Sequence, residues 1–135
     1  MPVPKTEQPS FHAHLIDKDT ICFVVPDGAV IDVNEVEEMH RTSLSFFGDR
    51  SYCVLFKAEN GFTVTPEAQQ LGKEARFQKQ LIAQAILINS LAQRIIGNFI
   101  IRINQRPSVN KLFTDEKDAI AWLKEEMKIF SKSAD

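Results

Sequence analysis

The sequence predicts an α/β fold: a single mixed five-stranded sheet, largely parallel, with an N-terminal hairpin and about four helices. Three features of the chain predict it. Residues 11–25, FHAHLIDKDTICFVV, place two apolar runs around a polar Asp17-Lys18-Asp19 turn, the pattern of a β-hairpin. From residue 32 onward, stretches with helical periodicity alternate with short apolar runs, which implies crossover connections and parallel strands. Residues 81–88, LIAQAILI, are almost unbroken apolar, as suits a strand covered on both faces.

Each element has a local reason. PDG at 26–28 ends the second strand of the hairpin. Asp32 is placed to cap a helix reaching about Phe47, with Glu35, Glu37 and Glu38 favouring its positive end. Val33, Val36, His40, Leu44 and Phe47 fall on one stripe, and Gly48 is the expected C-cap. SYCVLF at 51–56 is the next strand, and FTVT at 62–65 either extends it or forms an extended link. Thr65 and Pro66 open a helix expected to run to Ala75. After the 81–88 strand, NSLAQRIIGNFIIRI at 89–103 reads as a helix, ended by Pro107. KLF at 111–113 is a short strand, and Thr114 is the expected cap of a last helix with Ile120, Leu123, Met127 and Phe130 inward. The domain is expected over 11–130, between a flexible tail at 1–10 and a C-terminal tail at 131–135.

Composition narrows the function. At 135 residues and a net charge of −2, the chain has the size of one domain and no basic excess to grip phosphate backbones, so nucleic acid is not an expected partner. The apolar runs are too short for a transmembrane segment. MPVPKTEQPS lacks the apolar stretch of a secretory signal. Cys22 and Cys53 sit inside apolar runs without CxxC spacing, so they are expected to be buried, reduced thiols of a cytoplasmic protein. No GxSxG, HExxH or glycine-rich phosphate loop is present, and neither catalysis nor a cofactor is expected. His12 and His14 share a strand face, but no third ligand can be assigned, so no metal site follows.

The last third carries a motif: Gly97, Asn98 and Phe99 in a helix, then Asn104 and Pro107, then Leu112, Phe113, Thr114, Asp115 and Glu116, then Ala121, Trp122 and Leu123. It resembles a small family of uncharacterised bacterial proteins with the SpoIIAA-like fold, the STAS-type fold of anti-sigma-factor antagonists. The match covers about residues 89–124; upstream the resemblance is one of topology. In the antagonists a serine at the start of the helix after the third strand is phosphorylated by a partner kinase. Thr65 matches that position, although Val-Thr-Pro-Glu at 64–67 departs from the family's Asp-Ser-Ser-Gly-like motif.

Thr65 therefore has two readings. As a helix cap its hydroxyl accepts a backbone N–H; as a phosphoacceptor it would place new charge beside Glu67. The cap is the simpler reading. On the 89–103 helix, Ile101 falls opposite the apolar arc beside Arg94, while Asn98 and Arg102 fall along its edge. These residues are a candidate interaction surface, though one isoleucine on a solvated face needs no partner. The expected function is a non-enzymatic bacterial interaction or regulatory module, binding a protein partner or a second copy of itself. The alternative is a carrier of a small apolar ligand such as a lipid, with Phe46, Phe47, Phe62 and Phe77 lining a pocket between helices and sheet. Lipid-transfer proteins with a loosely similar sheet-and-helix plan suggest that alternative.

Overall fold

The structure, a computed structural model, describes residues 11–26, 28–58, 62–88 and 110–134. Strands β1 (His12–Asp17) and β2 (Thr20–Val25) form the N-terminal hairpin. The Asp17 carboxylate accepts the Asp19 amide at 2.8 Å, fixing the turn. β3 (Ala29–Ile31) leads into α1 (Val33–Phe47). β4 (Tyr52–Ala58), β5 (Phe62–Val64), α2 (Pro66–Gly72), α3 (Ala75–Gln78), β6 (Leu81–Leu87), β7 (Asn110–Phe113) and α4 (Glu116–Ala134) follow. Among the described residues the main sheet has five strands in the order β1-β2-β4-β6-β7, with the hairpin antiparallel and every later pair parallel.

Alternation along β4 divides the core. Tyr52, Val54 and Phe56 join Ile21, Phe23, Ile86 and Phe47 under α1. Cys53 and Leu55 face the other way, with Cys22, Ala83 and Ala85, against Ala119 and Leu123 of α4. Five of the buried residues on the α4 side, Cys22, Cys53, Ala83, Ala85 and Ala119, are small, which lets the helix backbone come close. There the Cys53 thiol donates to the Leu123 carbonyl at 3.8 Å. Both cysteines are buried and unpaired.

Several local expectations are corrected. β3 had no clear sequence signal, being only AVI after a turn, yet it pairs in parallel with β5 in a separate two-stranded sheet. FTV is thus neither a simple link nor an extension of β4. The helix expected to reach Ala75 stops at Gly72, where the amides of Lys73 and Glu74 fold back onto Gln70 and Leu71 carbonyls. Glu74 is extended at φ −66°, ψ 145°, and α3 starts anew. Asp115, not Thr114, caps α4: its carboxylate accepts the Lys117 amide at 2.7 Å. A carboxylate one residue closer to the helix reaches the first-turn donors and also suits the dipole. The helix continues to Ala134, through most of the expected C-terminal tail, because nothing after Phe130 breaks it.

Candidate functional site

Two β-strand ends and two helix starts meet at one place. β3 and β5 are neighbours, Ile31 pairs with Val64, and the next residue of each strand is a cap: Asp32 for α1 and Thr65 for α2. The Thr65 amide donates to the Ile31 carbonyl at 3.0 Å, extending the ladder. Asp32 forms a capping box: its carboxylate accepts the Val33 and Glu35 amides, and its own amide donates to the Glu35 side chain at 2.9 Å. The Thr65 hydroxyl accepts the Ala68 amide at 3.1 Å and donates to Asp32 Oδ1 at 2.8 Å. Pro66 occupies the first turn, where its missing N–H leaves no gap. Thr65 is therefore a cap and also a tie between the helix starts.

That arrangement bears on phosphate chemistry. A phosphate on Thr65 would lose the donated hydrogen bond and set its charge against the Asp32 carboxylate, with Glu67 in the same first turn. The helix ends favour negative charge, but Asp32 already takes that role.

Beneath the tie, between α1, α2, α3 and the sheet, lies a largely apolar cavity of about 180 Å³. Phe23, Phe56, Phe62, Phe77 and Ile86 supply much of its wall. Polar groups are few: His40, Ser43, Gln69, Gln84 and Asn110 reach it. Gln84 donates to the Asn110 side chain at 3.2 Å. Of the four expected pocket phenylalanines, Phe62 and Phe77 line the cavity, whereas Phe47 stacks on Tyr52 in the core and Phe46 is exposed.

The cavity is bordered by a side-chain cluster with no linear signal. Arg76 of α3 forms a bidentate pair with Glu37 of α1, at 2.7 and 3.2 Å, and its Nε reaches Glu74 at 3.0 Å. Its guanidinium lies 4.1 Å over the Phe77 ring, which in turn meets His40 edge-on at 4.7 Å. The Arg76 guanidinium holds the Glu37 carboxyl below its usual value, and the two carboxylates push the Arg76 value up. Burial, aided by the Arg76 charge, lowers the His40 pKa, with Glu37 opposing.

The thiols are of a different kind. Burial pushes Cys22 up to about 11 and Cys53 to about 12, so neither is a ready nucleophile. His12 and His14 are exposed on β1. Among the described residues no group of three or more His, Cys, Asp or Glu could hold a metal ion. Arg94, Asn98, Ile101 and Arg102 lie outside the described residues.

The model of a domain of unknown function, DUF7793, matches residues 14–127. The chain belongs to the DUF7793 family. The DUF7793 match reaches from within β1 to the later turns of α4 and so includes the tie, the cavity and the Arg76 cluster. A solved structure is similar in fold: the crystal structure of an uncharacterised protein of the DUF3478 family with a SpoIIAA-like fold, from Shewanella loihica PV-4. It is 17% identical, covers 84% of this chain and 91% of that chain, and superposes with a TM-score of 0.55. The DUF7793 domain is thus SpoIIAA-like in fold, and fold alone is what that likeness conveys. A comparison with curated proteins returns no match. No helix among the described residues of this DUF7793 chain is long and apolar enough to cross a membrane.

Proposed function

We propose that the chain is a non-enzymatic interaction module of the STAS type, which docks a protein partner at the joined starts of α1 and α2. The observation that supports this reading is a shallow apolar depression beside the tie. Val33, Pro66 and Leu71 line it together with Glu67, Gln70 and Glu74. Val30, in β3 two residues before Asp32, is 56% exposed. An apolar centre with a polar rim is the composition of a partner surface. In the antagonists that the chain resembles, the matching helix start is the regulated position. Here Thr65 is committed to Asp32, so recognition falls to the surface around it. Two buried thiols support a cytoplasmic setting.

The test is site-specific photo-crosslinking in the source cells, with the reactive group at residue 30 or, as control, at residue 124. A discrete crosslinked product at 30, lost in Leu71→Glu and absent at 124, is the expected result. Its mass separates a second copy of the chain from another protein. Equal products at both positions, or none, would remove the docking surface.

The cavity favours a second reading, a carrier of a small apolar ligand. A pocket of this kind, apolar with a few convergent polar groups, is the usual form of a small-molecule site. Native mass spectrometry of protein purified from its source separates the two readings. A retained lipid-sized mass favours the carrier, and a ligand-free protein favours the module.

A further inference from the structure

We infer that the segment from α2 through α3 is a strap across the cavity, tied at both ends and latched in the middle by Arg76. The inference rests on the carrier reading only for what passes beneath the strap; the strap itself stands on geometry. One end is the Thr65–Asp32 bond at 2.8 Å. The other is Gln80, whose side-chain amide donates to the Gly48 and Arg50 carbonyls at 2.9 and 2.7 Å, just after α1. The Tyr52 amide donates to the Gln80 carbonyl at 3.0 Å, so this end is stitched to β4 as well.

Between the ties the strap holds itself only by bonds within single turns, such as Glu74 amide to Leu71 carbonyl and Phe77 amide to Glu74 carbonyl, both at 3.0 Å. α2 ends at Gly72, and α3 has four residues, far below the length at which a helix sustains itself. The Glu74 side chain makes no cap bond to α3. What holds the middle down is Phe77, buried against the cavity and against His40, and Arg76, which lies over the Phe77 ring while gripping Glu37. Phe77 supplies the main attraction, since burying a ring outweighs an exposed ion pair. Arg76 fixes the orientation, because its planar fork meets both Glu37 oxygens at once. When the pair lets go, the 73–79 stretch can bow outward while both ties stay made, and an apolar molecule gains a path into the cavity beside Phe77.

The test compares native-state hydrogen exchange in wild type, Arg76→Met, Arg76→Lys and Glu37→Gln. Entry of the neutral apolar fluorophore N-phenyl-1-naphthylamine is followed in parallel. In Arg76→Met and Glu37→Gln, amides of 73–79 should exchange about five-fold faster, the scale of one well-formed ion pair, while β4 and β6 are unchanged. Arg76→Lys, which keeps the charge and loses the fork, should fall between. Fluorophore entry should accelerate by the same factor. Unchanged exchange at 73–79, or an increase spread evenly over the sheet, would overturn the strap. If exchange at 73–79 accelerates but the fluorophore enters none of the proteins, the strap stands and the carrier reading falls.

Discussion

Thr65 shows how one hydroxyl can serve two helices. It accepts from the Ala68 amide and donates to Asp32, so its removal weakens the start of α2 and strips one partner from the cap of α1. Thr65→Ala should cost about 1–2 kcal/mol in urea unfolding, within the range of helix caps. Thr65→Ser keeps both bonds and should lose little. Thr65→Asp can still cap α2, but its carboxylate faces that of Asp32, so it should be less stable than Thr65→Ser. Equal stability of the two would show that the Asp32 contact contributes nothing. His40 supplies a second residue-scale prediction. Its folded pKa lies below the usual 6.5, mainly through burial, then through Arg76, with Glu37 acting the other way. Between the folded and unfolded values the unfolded chain binds more protons, so stability rises with pH there. The His40 contribution should be complete above about pH 6.5 and decline as the pH falls below it. His40→Phe, which keeps a ring against Phe77, should flatten that slope between pH 5 and 7; an unaltered slope would assign it to other groups.

Among elements, α4 and α3 mark the extremes of packing. α4 has nineteen residues and sits on a surface of Cys22, Cys53, Ala83 and Ala85 through Ala119 and Leu123. Ala119 is fully buried there, so Ala119→Leu should cost about 1–3 kcal/mol by overpacking, read as a lower denaturant midpoint. A neutral result would mean that the helix can slide away from the sheet. The presence of such helices was legible in the sequence, because their apolar stripes lie within a few turns, but not every position was: Phe130 of α4, expected inward, and Leu44 of the α1 stripe are exposed. α1 is an example: Asp32, the stripe through Phe47, and Gly48 at φ 62° bound it. β3 was not legible, since three residues carry no periodicity and its pairing depends on β5, thirty or more positions on. The break after Gly72 was obscured by the apolar spacing of Ala68, Leu71 and Ala75. The choice of Asp115 over Thr114 turned on a single residue, finer than propensity resolves.

At the scale of the whole molecule, the sequence showed the sheet and the first and last helices more clearly than the site; the helix expected at 89–103 lies outside the described residues. Thr65 could be singled out by its place before Pro66. Its partner Asp32, thirty-three residues away, and the Glu37–Arg76 pair, thirty-nine apart, meet only through the fold. Phe62 and Phe77 gave a compositional hint of the cavity, but the same hint misplaced Phe46 and Phe47. The two-sided core leads to a further expectation. Cys22 and Cys53, with thiol values raised to about 11 and 12, should resist labelling by a thiol reagent in the native protein and both react after denaturation. Fast native labelling of either would contradict its burial.

The order β1-β2-β4-β6-β7 also has a consequence for how the molecule is made. Among the described residues, every strand of the main sheet after the first hairpin lies beside the main-sheet strand that preceded it along the chain, and none is inserted between two already paired. A chain leaving the ribosome N-terminus first, at roughly 5–20 residues per second, can therefore close the hairpin in microseconds and then extend the sheet in one direction. At each stage the growing edge is the strand made last, and the next strand to emerge covers it, while β1 stays at the opposite edge. Growth of the sheet and synthesis of the chain run in the same sense, so the interval for which β2, β4 or β6 lies uncovered at the growing edge is set by the time needed to translate one crossover.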